Sequence, residues 1–134
     1  MIETLLRELA AWADTRPEIR SIALVGSHAN GTARPESDVD LVILSERPHE
    51  LLNDLTWIKQ FGTAVRKEIE HWGRLDSVRV WYDDGLEVEF GVTTVEWASI
   101  PDEGTLAVLN KGFRVLLDRD ALFAHFKRAK ISSG

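Results

Sequence analysis

The chain has 134 residues, 44% of them hydrophobic and 28% charged, with a formal net charge of −6 at pH 7 and no cysteine. This composition fits one soluble globular domain with a real core, and it excludes a disordered chain, a disulfide scaffold and a thiolate metal site. The acidic balance, with pI ≈ 5.2, argues against a general binder of long nucleic acid, and no apolar run approaches the roughly 18 residues of a membrane span.

Ile2, Leu5, Leu6, Leu9 and Trp12 or Ala13 recur at helical spacing, with Glu3, Arg7, Glu8 and Asp14 opposite. They predict an amphipathic helix that ends before Pro17. The charges in this first stretch are unlike a signal peptide, so a cytoplasmic protein is expected. Ile19 to Val25 predicts a strand closed by Gly26, and His28 to Glu36 a loop with room for a helical turn. Val39 to Leu44 predicts a second strand. Its nearly unbroken apolar run after Asp40 places it centrally, covered on both faces.

Pro48 suits the first turn of a helix whose apolar stripe is Leu51, Leu52, Leu55 and Ile58, ending at Gly62. Ala64 to Trp72 fits two periods. Val65, Ile69 and Trp72 suit a helix, while Val65, Lys67, Ile69 and His71 alternate as in a strand. Strand is preferred, because Gly73 and two clear strands follow. Ser77 to Tyr82 and Leu86 to Val92 flank Asp83-Asp84-Gly85, predicting a hairpin with Asp84-Gly85 as a two-residue turn. On its second arm Glu87 and Glu89 share one face, and Leu86, Val88 and Phe90 the other. Asp102 to Asn110 predicts a helix with Gly112 near its C-terminal cap, and Phe113 to Leu117 a short strand. Asp118 or Asp120 is expected to cap a last helix through Phe126, with Ile131 to Gly134 frayed. Without repeats or linkers, residues 1–134 read as a single mixed α/β domain.

Two features stand close together in that order. An apolar run ends in Gly26-Ser27, and after ten intervening residues Asp38 and Asp40 lead into the next apolar run. In a strand, residues i and i+2 project from one face, so the two carboxylates point together and repel unless a cation sits between them. A divalent metal is the obvious cation, and beside a glycine turn the obvious anion is a phosphate. Taken singly, each half has an ordinary reading: a solvated acid pair at a strand start, and a turn or cap serine. At this spacing the chemical reading is preferred.

The stretch Gly-Ser-x-Ala-x-Gly-x-Ala-Arg-Pro-x-Ser-Asp-x-Asp, residues 26 to 40, resembles the signature of the nucleotidyltransferase superfamily, the DNA polymerase β-like fold. It is most similar to the minimal nucleotidyltransferases and the aminoglycoside nucleotidyltransferases. The likeness covers most of residues 19–92, and the C-terminal third fits only loosely. It implies a small mixed β-sheet with helices packed on it, and a third carboxylate on a later strand. Val88-Glu89-Phe90 matches that pattern, and Leu86-Glu87-Val88 matches it less well; register decides between them. The resemblance implies that Gly26 and Ser27 meet a triphosphate, with Arg34 as a further phosphate contact. Asp38, Asp40 and Glu89 hold two Mg²⁺ ions, and Glu89 completes the second metal site or acts as general base. The implied reaction moves an NMP group, AMP from ATP by preference, onto a hydroxyl and releases pyrophosphate.

Two departures bear on these expectations. Minimal members often carry Arg where Asn30 stands here, and the C-terminal helical domain of the antibiotic-modifying relatives has no counterpart. The acceptor, a small molecule or a partner protein, is then expected to meet a homodimer mate, a helical HEPN-type toxin partner, or the segments Ala64 to Trp72 and Ala98 to Phe126. The alternative is a binding protein of antitoxin type that keeps the fold and acts by contact alone. His28 reads as a solvated loop histidine or a nucleotide contact, the former preferred, and His49, His71 and His125 show no ligand spacing. Of Trp12, Trp57, Trp72, Trp81 and Trp97, most are expected in the core, with one or two at an interface or stacked on a base.

Overall fold

The computed structural model describes residues 2–124 and 126. Helix α1 (Glu3–Asp14) leads into β1 (Ile19–Val25), a single-turn helix α2 (Ser27–Asn30) and β2 (Val39–Ser45). Helix α3 (Pro48–Asn53) and a 3₁₀ segment (Leu55–Phe61) precede β3 (Ala64–Trp72), β4 (Leu75–Tyr82) and β5 (Glu87–Thr93). Two short helices, α4 (Glu96–Ser99) and α5 (Glu103–Asn110), and the strand β6 (Arg114–Asp118) follow. The strands form one six-stranded sheet in the order β3-β4-β5-β2-β1-β6. Every neighbouring pair is antiparallel except β2 and β5, which run parallel at the centre.

The mixed α/β fold is the expected one, and β2 is central with both faces covered. Along β2, Val39, Leu41 and Ile43 face α1, α3 and the 3₁₀ segment, in a core that includes Leu5, Leu9, Trp57, Val88 and Phe90. Val42 and Leu44 face the other way, into a smaller core with Trp97, Leu109, Phe113 and Phe123. The period-two alternation thus serves two cores at once. Phe90 anchors the larger one, with Trp57 edge-on at 5.0 Å and Phe61 at 5.8 Å between ring centroids. Tyr82 closes its rim by donating from its hydroxyl to the Ile58 carbonyl at 2.8 Å.

Three elements depart from the sequence reading. The helix opened by Pro48 breaks at Asp54, whose extended backbone (φ −132°, ψ 105°) ends α3. Asp54 Oδ1 then accepts from the Thr56 N–H and hydroxyl, which starts the 3₁₀ segment. A short polar side chain that can bond its own backbone two residues on competes with the helix ladder. The hairpin loop has three residues rather than two: Gly85 N–H donates to Tyr82 O, and Tyr82 N–H to Leu86 O. Gly85 supplies the left-handed φ of 92° that this wider turn needs.

The third departure is the last helix. Residues 119–124 form turns, with Ala121 in the left-handed region at φ 54°. The Asp118 carboxylate accepts from the amides of Leu122 and Phe123, but in a turn rather than at the start of the expected helix, and it also accepts from the Ser21 hydroxyl of β1, which ties the turn to the sheet. His125, within that prediction, and the fraying expected at Ile131 to Gly134 lie outside the described residues. Among the described residues, no helix is long and apolar enough to cross a membrane.

Tyr82→Phe leaves the buried Ile58 carbonyl without its donor. It is expected to cost about 1–2 kcal/mol in urea unfolding, with the m-value unchanged.

Candidate active site

Parallel pairing sets Asp40 of β2 directly opposite Glu89 of β5, and antiparallel pairing sets Arg79 of β4 opposite Glu89 on its other side. Asp38, one residue before β2, projects from the same face as Asp40. Asp38, Asp40 and Glu89 each offer a carboxylate oxygen, and these atoms lie within 4.8 Å of one another. The register therefore selects Glu89 for the cluster. Glu87 lies on the same face and reaches it only through Arg79.

The guanidinium of Arg79 is the local counter-ion. Nη1 donates to Asp38 Oδ2 at 2.9 Å and to Glu87 Oε2 at 2.7 Å, and Nη2 donates to Glu89 Oε1 at 2.9 Å. Burial works against its charge, but the bonds to Glu87 and Asp38 and the charge of Glu89 outweigh it and raise its pKa. The other oxygen of Glu89 accepts from Trp72 Nε1 and from the Ser77 hydroxyl, both at 2.9 Å. Both oxygens of Glu89 are thus engaged, and its carboxylate is fixed in place.

Asp40 is treated differently. Its Oδ1 is buried and has no hydrogen-bond partner. Burial, then the charges of Asp38 and Glu89, push its pKa up to about 8. Gly26 packs directly on it: a Cβ there would stand 2.3 Å from Asp40 Oδ2, and the Gly26 φ of 75° is one that a side chain disfavours. The absence of that Cβ is what leaves room for the carboxylate. An unpartnered buried carboxylate oxygen beside two further acids is suited to a hard divalent cation, which takes oxygen ligands.

The other sequence candidates lie on the connection between β1 and β2. Ser27 is half-buried at the start of α2, just after Gly26. Arg34 is exposed in the loop before β2, where its N–H donates to the Ser37 hydroxyl. Asn30 is exposed and accepts from Thr32. Next to the acids opens a cavity of about 350 Å³, rimmed by Gly26, Asp40 and Glu89 and walled by Trp72, Leu75 and Trp97. Lys111 also lines it. The site residues missed in the sequence are Arg79, Ser77 and Trp72. Their signal was present, since Ser77 and Arg79 are the polar positions of an otherwise apolar alternation and face the acids of the next strand.

The raised pKa of Asp40 makes a signed prediction for the metal-free protein. A carboxyl group that holds its proton more tightly when folded adds stability below its unfolded pKa, near 3.9, and loses it as pH rises through about 8. In EDTA, Asp40→Asn is therefore expected to match the parent's thermal midpoint near pH 4 and to exceed it above pH 8, by roughly 5 °C or more. Thermal scans across that pH range check this.

Residues 5–92, well over half of the chain, match the family model of the nucleotidyltransferase domain. No curated protein matches the chain. The structure is similar to that of an aminoglycoside 6-adenyltransferase from Bacillus subtilis, with TM-score 0.52 and 13% identity over 69% of this chain and 36% of that one. Weaker likenesses are to the polymerase core of TRAMP, an RNA surveillance complex (TM-score 0.49, 20% identity, 66% of this chain and 28% of that one), and to terminal uridylyl transferase 4 from Trypanosoma brucei (0.47, 19%, 69% and 34%). The chain thus spans about a third of the length of these solved proteins. At 13% identity the likeness to the adenyltransferase speaks for the fold alone, while the family match over residues 5–92 takes in Asp38, Asp40 and Glu89: the chain belongs to the nucleotidyltransferase domain family.

Proposed function

We propose that residues 1–134 form a single Mg²⁺-dependent nucleotidyltransferase domain that moves an NMP group, AMP from ATP by preference, onto a hydroxyl with release of pyrophosphate. The observation that carries this reading is the convergence of Asp38, Asp40 and Glu89 on one face of the sheet, ligand atoms within 4.8 Å, beside the Gly26 turn. Held by these three carboxylates, one or two Mg²⁺ ions supply charge neutralisation for the triphosphate and acidity for the acceptor hydroxyl.

The protein's own contribution is positioning. Gly26 lets a phosphate come close to the backbone beside Asp40, and the Ser27 hydroxyl, one residue on, donates to a phosphate oxygen. Arg34, exposed on the same connection, is free to swing onto the outer phosphates. Glu89 acts as a ligand whose carboxylate is held in place by the bonds that Trp72 and Ser77 donate to its Oε2. The acceptor hydroxyl enters from the cavity walled by Trp72, Leu75 and Trp97, in line with the leaving pyrophosphate.

The acceptor is a small molecule or a protein side chain. A protein acceptor, such as a helical HEPN-type toxin, is supported by exposed apolar residues: Trp72, on the cavity wall, is 55% exposed, and Ile100, after α4, is 66% exposed. The same residues support the second reading, an antitoxin that neutralises its partner by contact alone. Incubation with labelled ATP, Mg²⁺ and candidate acceptors separates the two. Transfer by the parent, lost below detection in Asp38→Ala/Asp40→Ala and in EDTA, is the expected result. No transfer to any acceptor, with no metal-dependent ATP binding, contradicts the enzyme. Neutralisation that survives the double substitution favours contact.

A further inference from the structure

Arg79 holds two of the three acids that the proposed cation needs. Its guanidinium bonds Asp38 Oδ2 and Glu89 Oε1, so in this state the protein's own cation occupies part of the ligand set. A guanidinium and a divalent ion cannot use the same lone pairs, and their like charges repel at this distance. Arg79 therefore has to give up those bonds when the site is loaded. The structure offers a place for it to go. Glu87 already accepts from Nη1 at 2.7 Å and is not one of the clustered acids. On the far side, Glu70 Oε1 of β3 is buried and already forms a loose ion pair with Arg79 Nε at 3.4 Å, without an aligned hydrogen bond. A buried carboxylate oxygen left unbonded beside a cation carries a free-energy cost that a small shift of that cation removes.

We infer that Arg79 is a two-position latch. When the cation is absent it bridges Asp38 and Glu89 to Glu87 and Glu70; when the cation binds it releases Asp38 and Glu89, keeps Glu87 and closes on Glu70. This rests on reading the carboxylates as a cation site. In that role Arg79 is a positioning residue. It keeps the acids gathered against their mutual repulsion and competes with the metal for two of them. Glu70 acts through Arg79, as the acceptor that makes the displaced position favourable. Trp72 and Ser77 continue to hold the remaining oxygen of Glu89, so that carboxylate stays in place while the arginine leaves.

The test is a double-mutant cycle read by Mn²⁺ binding, using electron paramagnetic resonance of free Mn²⁺ without nucleotide. Arg79→Gln is expected to bind Mn²⁺ roughly tenfold more tightly than the parent, in the range of coupled charged neighbours. Glu70→Gln is expected to weaken binding by a similar factor in the parent, and by about twofold or less when Arg79 is already Gln, where only its screened field remains. In the unmodified protein, Mg²⁺ is expected to shift the Arg79 Nε–Hε NMR resonance, assigned with Arg79→Lys. The latch is overturned if folded Arg79→Gln binds Mn²⁺ no more tightly than the parent. Equal effects of Glu70→Gln in both backgrounds, or an unmoved Arg79 resonance while Mg²⁺ binds, overturn it equally. If Arg79→Gln does not fold, the neutral Arg79→Met carries the same affinity expectation and the resonance test stands unchanged. An absence of saturable Mn²⁺ binding in the parent overturns the cation site itself.

Discussion

The parallel ladder between β2 and β5 puts two like charges, Asp40 and Glu89, in register at the centre of the sheet, with Asp38 beside them. Most of what distinguishes this face follows from that repulsion. Arg79 is drawn in as a counter-ion, and Trp72 and Ser77 spend their donors on Glu89. The oxygen Asp40 Oδ1 is left with nothing to bond. A fold selected for stability alone would replace such a group with an apolar side chain, since a buried acid without a partner destabilises. Its retention at the sheet centre, beside a glycine that makes room for it, is the strongest physical argument that the site binds a cation.

The two cores explain how the sheet tolerates the arrangement. The face against α1, α3 and the 3₁₀ segment is filled by aromatic and aliphatic side chains from every central strand, and it holds β2 and β5 in register. The opposite face is only partly covered, by α4, α5 and Phe123. The acids lie where that cover stops, and the cavity bounded by Trp72 and Trp97 is the remaining gap. A rigid side and an open side are what a positioning enzyme requires of a small sheet.

Much of this was legible in the sequence because local chemistry dictated it. Gly26-Ser27 and Asp38-Val39-Asp40 carry their own turn and pleat, and the continuous apolar run of β2 announced a strand buried on both sides. Choosing Glu89 over Glu87 required the register of β5 against β2, which no single strand encodes. Arg79 was harder still. Its partners stand 41, 8 and 10 residues away in sequence: the hairpin brings Glu89 and Glu87 to it, and only the sheet order brings Asp38. The misread last helix and the break at Asp54 share one cause: Asp118 and Asp54 use their carboxylates on nearby backbone amides, and that local choice outweighed a helical pattern.

The central claim is that Asp38, Asp40 and Glu89 act together as one divalent-cation site for a nucleotide. Crystals grown with Mn²⁺ and a non-hydrolysable ATP analogue test it through the anomalous signal of the metal. The account predicts a peak within about 2.0–2.3 Å of oxygens from all three carboxylates, with the analogue's phosphates on the same ion beside Gly26 and Ser27. Analogue bound elsewhere, or a peak that leaves any of the three acids unligated with Arg79 still between Asp38 and Glu89, would contradict it.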